Sequence, residues 1–224
     1  KTDVEPLVNG AYDQMAQLAS TAEYEVLLAT MWYDTDIAGR SPGAVIADSV
    51  ADLYNQVKAN PENYPRGLTV RILLGNPPEL ATGDFSGQLW SVLEDIRDAG
   101  VPEMTNQEIG WNLQVADYKG AWPHSHTKLL VVDGKTAVAA GYNMTYEHYS
   151  EEHPSGKGGG RNDLGIQVTG PVAQDSVLAF DELWVGSDER TCTDFDPIYG
   201  VWQATCYDFK ATGQHVPEVM KYYI

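Results

Sequence analysis

Short, unbroken apolar runs constrain the fold of this chain more than any other feature of its sequence. Three segments built around such runs have the length of a β-strand: YEVLLATMWY (24–33), LTVRILLGN (68–76) and HTKLLVVD (126–133). A strand with apolar residues at consecutive positions buries both faces, which requires helices on both sides of the sheet. Helical patterns alternate with these runs. The alternation predicts an α/β fold, with a layered, mixed β-sheet flanked by helices.

Helix and turn signals support the same architecture. Ser41-Pro42 has the pattern of an N-cap followed by a proline in the first helical turn, and predicts a helix that ends near Lys58. The other predicted helices occupy residues 7–20, 86–99 and 171–184. The remaining predicted strands occupy residues 111–117, 136–142 and 163–170.

The chain of 224 residues is long enough for one sizeable α/β domain or two small ones. We predict one domain over residues 1–185, because nearly all of the helix and strand signals fall within that range. Residues 186–224 are rich in Asp, Thr and aromatic residues and only weakly periodic, and they are predicted to form a tail or linker.

The two cysteines, Cys192 and Cys206, both lie in this tail. Their close spacing in a loop-rich stretch favours a disulfide over two unpaired thiols. By chain entropy, closing so short a loop would stabilise the fold by about 3 kcal/mol. A disulfide predicts an oxidising compartment, so the protein is expected to be secreted or extracytoplasmic.

The charge balance bears on the partners of the chain. The net charge is −18, and so acidic a surface repels nucleic acid unless a local basic cleft overrides it. Because the acidic residues are spread along the chain, nucleic acid is a less favoured substrate and not an excluded one. No apolar run reaches 18 residues, so the sequence predicts no transmembrane segment.

Polar residues cluster around one of the apolar strands, in the stretch HSHTKLLVVDGKTAVAAGYN (124–143). Residues two apart on a strand share a face, so His126 and Lys128 are expected to point the same way. After a tight turn at Gly134-Lys135, the returning strand brings Asn143 close to His126. An imidazole, an ammonium and a carboxamide would then face one space.

This set of groups suits the chemistry of a phosphodiester. Lys128 would supply a point charge and Asn143 an amide donor to neutralise the phosphate. His126 could then attack phosphorus and form a phosphohistidine. A nucleophilic histidine needs an acid at its second ring nitrogen. Asp163, at the start of the next strand, is the candidate, and Asp133 is its rival.

The spacing of these residues resembles the signature of the phospholipase D superfamily. The signature reads His126-x-Lys128-x4-Asp133, followed by Ala140-Gly141-Tyr142-Asn143, with Ala140 where the family usually has glycine. The run NDLGIQVTGPVAQDSVLAFDELW (162–184) also resembles the family, and the resemblance covers roughly residues 5–185.

The resemblance implies a phospholipase D-like domain and a role for each motif residue. His126, Lys128 and Asp133 would form the catalytic motif, in which Asp133 has a supporting, structural role. Lys128 and Asn143 would bind phosphate, and Asp163 matches the acid that orients the histidine in some members. The family needs no metal, so neither a metal nor another cofactor is expected.

The family mechanism uses two such motifs, and this chain has one. His148, His153 and His215 are not followed by lysine two residues on. Two interpretations remain open. The chain is one half, by preference the N-terminal half, of a longer two-motif enzyme, or two copies pair and complete a symmetric site. On either interpretation a lone copy lacks half of the site.

The predicted function is that of a phosphodiesterase of the phospholipase D type. It would hydrolyse phospholipid or a related phosphodiester, or transfer its phosphatidyl group, through a phosphohistidine intermediate. Two alternatives remain: a nuclease of the same superfamily, and a non-catalytic phosphate-binding half-domain. Contacts to the substrate beyond the phosphate would come from loops at residues 34–45, 77–87 and 144–162.

Overall fold

A computed structural model describes residues 1–7, 10–75, 87–118 and 125–185, together with the backbone of residues 187–192, 197–198, 201–209 and 215–221. The helices are α1 (Ala11–Ala19), α2 (Pro42–Ala59), α3 (Gly87–Asp98) and α4 (Pro171–Val185), with short 3-10 helices at Pro61–Asn63 and Tyr146–His148. The strands before α4 are β1 (Asp3–Leu7), β2 (Glu25–Thr30), β3 (Leu68–Leu74), β4 (Thr105–Asn106), β5 (Trp111–Tyr118), β6 (Leu129–Val132), β7 (Thr136–Ala140) and β8 (Gly165–Thr169).

The strands form a mixed sheet in the order β1-β8-β7-β6-β2-β3-β5. Strands β2, β3 and β5 are parallel to one another, and the strands on the other side of β2 are antiparallel to their neighbours. The predicted α/β fold with a layered, mixed sheet flanked by helices is therefore confirmed.

Helices cover both faces of this sheet, as the apolar runs predict. Along β2, Val26 and Leu28 belong to a core that includes residues of α1, α2 and α3. Leu27 belongs to a second core, which includes Ala173 and Phe180 of α4. Consecutive residues of one strand thus enter different cores, because side chains alternate across a sheet.

The structure confirms the predicted start of α2. The Ser41 hydroxyl accepts a hydrogen bond from the Ala44 N–H at 3.0 Å, and Pro42 is the first residue of the helix. Within the described residues, none of the helices is long and apolar enough to cross a membrane.

Part of the tail continues the sheet. Four strands are described there: β9 (Ser187–Cys192), β10 (Pro197–Ile198), β11 (Val201–Phe209) and β12 (His215–Lys221). Strand β9 pairs with β5, and β11 pairs with β9, β10 and β12. The weak periodicity of the tail does not predict these strands, and the domain boundary at residue 185 stays a prediction.

The register of β9 and β11 places Cys192 and Cys206 directly opposite each other. Their side chains lie outside the described residues, so the disulfide also stays a prediction.

Candidate active site

The sheet brings most of the predicted site residues to one of its ends. Strands β6 and β7 form the predicted hairpin, and the Ala140 N–H donates to the Lys128 carbonyl at 3.2 Å. The residues before β6 and after β7 therefore emerge at the same end. The neighbouring strand β8 starts there too, because the Gly141 N–H donates to the carbonyl of Leu164 at 2.9 Å. Asp163 precedes that contact directly and so joins the same end.

Lys128 is a buried cation beside an exposed histidine. Only 8% of Lys128 is exposed, and its ammonium donates to the His126 carbonyl at 2.9 Å. The residue His126 itself is exposed. Burial lowers the pKa of Lys128, and the nearby carboxylate of Asp163 opposes that shift. The site therefore contains a partly desolvated positive charge, which interacts more strongly with an anion than a solvated one would.

Asn143 is held from two sides. It is 7% exposed, and its Oδ1 accepts from the Trp32 N–H at 3.3 Å. Its backbone carbonyl accepts from the Tyr12 hydroxyl at 2.6 Å. Because Oδ1 is turned toward an N–H donor, the amide nitrogen is the end of this carboxamide that can donate to an anion.

Asp163 lies against a histidine that the motif does not include. Its Oδ2 is 3.3 Å from Nδ1 of His148, whose side chain is 5% exposed. On the other side of the carboxylate, a Cβ at Gly141 would lie 2.8 Å from Oδ1 of Asp163. Because Gly141, in the small pair Ala140-Gly141, has no side chain, the Asp163 carboxylate can occupy this space.

Sequence reasoning missed His148, and no signal in the sequence pointed to it. It ends the short 3-10 helix Tyr146–His148, without a lysine two residues on, and its contact with Asp163 depends on the path of the chain between them. Burial lowers the pKa of His148, while the carboxylates of Asp163 and Glu147 raise it to a smaller extent.

Asp133 lies at the far end of the hairpin. It is five residues beyond Lys128, which corresponds to about 16 Å of extended strand. Its carboxylate accepts from the N–H groups of Glu23, Tyr24 and Glu25, each at 2.9 Å. Its own N–H donates to the Glu25 carbonyl at 2.9 Å. These contacts anchor the hairpin to the start of β2 and agree with the structural role that the family resemblance implies.

Two of the three loops expected to contact substrate are joined to each other. The Tyr146 hydroxyl donates to Oδ1 of Asp36 at 2.8 Å, and the Tyr146 N–H donates to Oδ2 of Asp34 at 2.9 Å. The glycine-rich segment at residues 151–162 folds back on the start of its loop, since the Arg161 N–H donates to the Glu147 carbonyl at 3.1 Å. The third loop, at 77–87, lies outside the described residues apart from the backbone of its last residue.

In the described parts of the chain, no group of three or more His, Cys, Asp or Glu side chains could hold a metal ion.

Known proteins resemble this chain in sequence and in fold. No family model matches the sequence. Over 82 residues, the chain is 35% identical to a phospholipase D from Streptomyces antibioticus, and the match covers 36% of this chain and 13% of that protein. This chain therefore matches only a small part of the length of its curated relative.

Two solved structures are also similar to this chain. Nuc from Salmonella typhimurium, a phospholipase D family member, has a TM-score of 0.49 and 14% identity over 84% of this chain and 97% of its own. NucT from Helicobacter pylori has a TM-score of 0.44 and 12% identity over 84% of this chain and 98% of its own.

The sequence match to the Streptomyces protein agrees with the motif that the β6–β7 hairpin carries. The motif residues lie on or beside the β6–β7 hairpin. His126, Lys128 and Asn143 are at one end of it, and Asp133 is at the other. In its motif and in its sequence match to the Streptomyces protein, the chain resembles the phospholipase D superfamily.

Proposed function

We propose that this chain carries half of a phosphodiester-cleaving site, built from His126, Lys128 and Asn143. One observation carries the proposal: a buried ammonium and an oriented carboxamide lie at the sheet end that also carries an exposed histidine. An ammonium and an amide donor can neutralise the non-bridging oxygens of a phosphodiester. The imidazole of His126 is then the nucleophile beside that phosphate.

The proposed reaction has two balanced steps. In the first, a neutral ring nitrogen of His126 forms a bond to phosphorus, the bond from phosphorus to the leaving oxygen breaks, and that oxygen takes up a proton. In the second, water or an alcohol attacks phosphorus, the bond from phosphorus to nitrogen breaks, and the attacking oxygen loses its proton. Water gives hydrolysis, and an alcohol gives transfer of the phosphatidyl group.

The proton for the leaving oxygen comes from a second motif. A missing half of the same polypeptide or a second copy of this chain would supply that motif. Asp163 is assigned to orient His126, because the carboxylate is at the same end of the sheet and acts electrostatically on Lys128. No part of the proposed reaction requires a metal or another cofactor.

Phospholipid is the preferred substrate class within this proposal. The curated relative is called a phospholipase D, and the net charge of −18 disfavours nucleic acid. A secreted or extracytoplasmic location, with a disulfide between Cys192 and Cys206, belongs to the same proposal. Mass measurement of the unreduced protein after thiol alkylation tests the disulfide.

His126→Asn tests the nucleophile in the longer natural protein or in the paired chain. Turnover of phosphatidylcholine is expected to fall at least about 1000-fold, because removal of a nucleophile leaves only the contribution of binding groups. Binding of inorganic phosphate is expected to persist, since Lys128 and Asn143 remain. Single-stranded DNA, offered in parallel, tests the nuclease alternative.

The matched control is His215→Asn, because His215 belongs to strand β12 and no residue assigned to the proposed reaction lies in that strand. Radiolabelled substrate should leave acid-labile phosphate on the wild-type protein and on the control. Unchanged turnover in His126→Asn would show that His126 is not the nucleophile.

A further inference from the structure

A second histidine is buried beside the proposed site and is not used by the reaction above. His148 belongs to the short 3-10 helix Tyr146–His148, and only 5% of its side chain is exposed. In the described part of the chain, neither of its ring nitrogens has a hydrogen-bond partner of regular geometry. Buried polar atoms in native proteins are almost always paired, so this imidazole calls for a partner.

Asp163 is the partner that the geometry offers. Nδ1 of His148 lies 3.3 Å from Oδ2 of Asp163, whereas Nε2 lies 3.9 Å from Oε1 of Glu147. A small rotation of the ring would complete a hydrogen bond from Nδ1 to Asp163. The ring of Tyr142 also packs edge-on near the imidazole, at a ring distance of 6.5 Å.

The two oxygens of this carboxylate face different surroundings. Oδ2 faces the buried imidazole, while Oδ1 lies over Gly141, which has no side chain and is exposed. The side chain of Asp163 is accordingly 41% exposed. A group that holds Oδ2 therefore leaves Oδ1 at the open side of the site, where His126 is also exposed.

We propose that His148 is a positioning residue that fixes the carboxylate of Asp163, so that the outer oxygen of that carboxylate can orient His126. This inference rests on the proposed function, in which Asp163 orients the nucleophile. Without His148, the Asp163 side chain would rotate toward water, and His126 would lose its fixed orientation. Substrate binding through Lys128 and Asn143 would persist.

The hydrogen bond requires a proton on Nδ1, which the neutral Nδ1–H tautomer carries. Burial is the largest influence on the pKa of His148 and lowers it, which favours the neutral form at pH 7. Arg161 and Lys128 lower it further, whereas the carboxylates of Asp163 and Glu147 oppose the shift. Asp34 of the facing loop also interacts electrostatically with this imidazole.

The test compares two substitutions that differ in one hydrogen bond. His148→Asn keeps a donor near the position of Nδ1, and His148→Leu removes it while filling a similar volume. With His148→Leu, kcat is expected to fall about 10- to 100-fold with KM nearly unchanged, since small errors in orientation have effects of this size. His148→Asn should restore most of that loss. His215→Leu, in strand β12, is the matched control and should leave kcat unchanged.

A double variant tests whether the effect passes through Asp163. In an Asp163→Asn background, His148→Leu is expected to cause no further loss of kcat. Equal activity of His148→Leu and wild type, or equal losses in His148→Leu and His148→Asn, would overturn the proposal. Losses that multiply in the double variant would overturn it as well.

A second readout needs no turnover and uses the chain alone. Nitrogen-15 NMR at pH 7 should show His148 as the tautomer protonated at Nδ1, with a signal that shifts in Asp163→Asn. An Nε2–H tautomer, or a signal indifferent to Asp163→Asn, would overturn the positioning role. Failure of the proposed function has a different signature, which is unchanged turnover in His126→Asn.

Discussion

At the scale of single residues, the sequence identifies most groups of the site. It does not identify the contact between two of them. His126, Lys128 and Asn143 could be chosen from their spacing because a hairpin fixes where its ends lie. The side-chain partners could not be chosen in this way. Asp163 was expected from its place at the start of a strand, but its contact with His148 depends on the path of a loop.

Asn143→Asp tests whether the carboxamide donates to phosphate. The new carboxylate can still accept from the Trp32 N–H, so the fold is expected to be retained. A negative charge would replace the donating nitrogen, and affinity for inorganic phosphate should fall at least about 10-fold. Isothermal titration calorimetry measures this affinity. Asn63→Asp, on the exposed 3-10 helix Pro61–Asn63, adds the same charge elsewhere and should have little effect. Equal affinities in the two variants would refute the role of Asn143.

At the residue scale, Asp95 is expected to make the stability of the fold depend on pH. It is 5% exposed, and burial raises its pKa to about 6 from an ordinary value of 3.8. Because the folded state binds this proton more tightly than the unfolded state, the contribution of Asp95 to the free energy of unfolding should fall as pH rises from about 4 to about 6. A shift of this size corresponds to about 3 kcal/mol.

Asp95→Asn should remove the loss of stability that Asp95 causes as the pH rises. The amide oxygen can still accept from the Asp36 N–H, which donates to Oδ1 of Asp95 at 3.1 Å in the wild type. The variant is therefore expected to be more stable than wild type at pH 7, and the two should differ less at pH 4. Urea unfolding at both pH values measures the difference. A wild type that is the more stable of the two at pH 7 would contradict the assignment.

At the scale of elements, the sequence predicts what is buried better than what is exposed. Strands β2, β3 and β6 follow from their unbroken apolar runs, and α2 follows from its Ser41-Pro42 start. Strand β1 was not predicted, because it is an edge strand with four of its five residues exposed and a proline at position 6. Such a strand is held by its pairing with β8 and carries no apolar alternation of its own.

Asp133→Asn tests the anchor between two elements. The wild-type carboxylate accepts three backbone N–H groups at the start of β2, and an amide can replace only one of its oxygens as an acceptor. The free energy of unfolding is expected to fall by about 1–3 kcal/mol, with phosphate affinity retained. Urea unfolding and phosphate titration measure the two effects. Asp52→Asn, on the exposed face of α2, is the control. Lost phosphate affinity in a stable Asp133→Asn protein would assign Asp133 to the binding site instead.

At the scale of the whole molecule, one motif must meet another before the proposed reaction can proceed. In the proposed reaction the leaving oxygen takes up a proton, and the assigned groups of this chain supply a nucleophile and phosphate-binding groups but not that proton. Turnover is therefore expected from a paired state and not from a monomer.

If two copies share a site, each site needs both copies of His126. Mixing wild type with excess His126→Asn should then reduce activity more steeply than dilution with buffer. If a missing half supplies the second motif, the isolated chain should sediment as an inactive monomer. A monomer whose turnover is proportional to its concentration would contradict both arrangements and would place the proton donor within this chain.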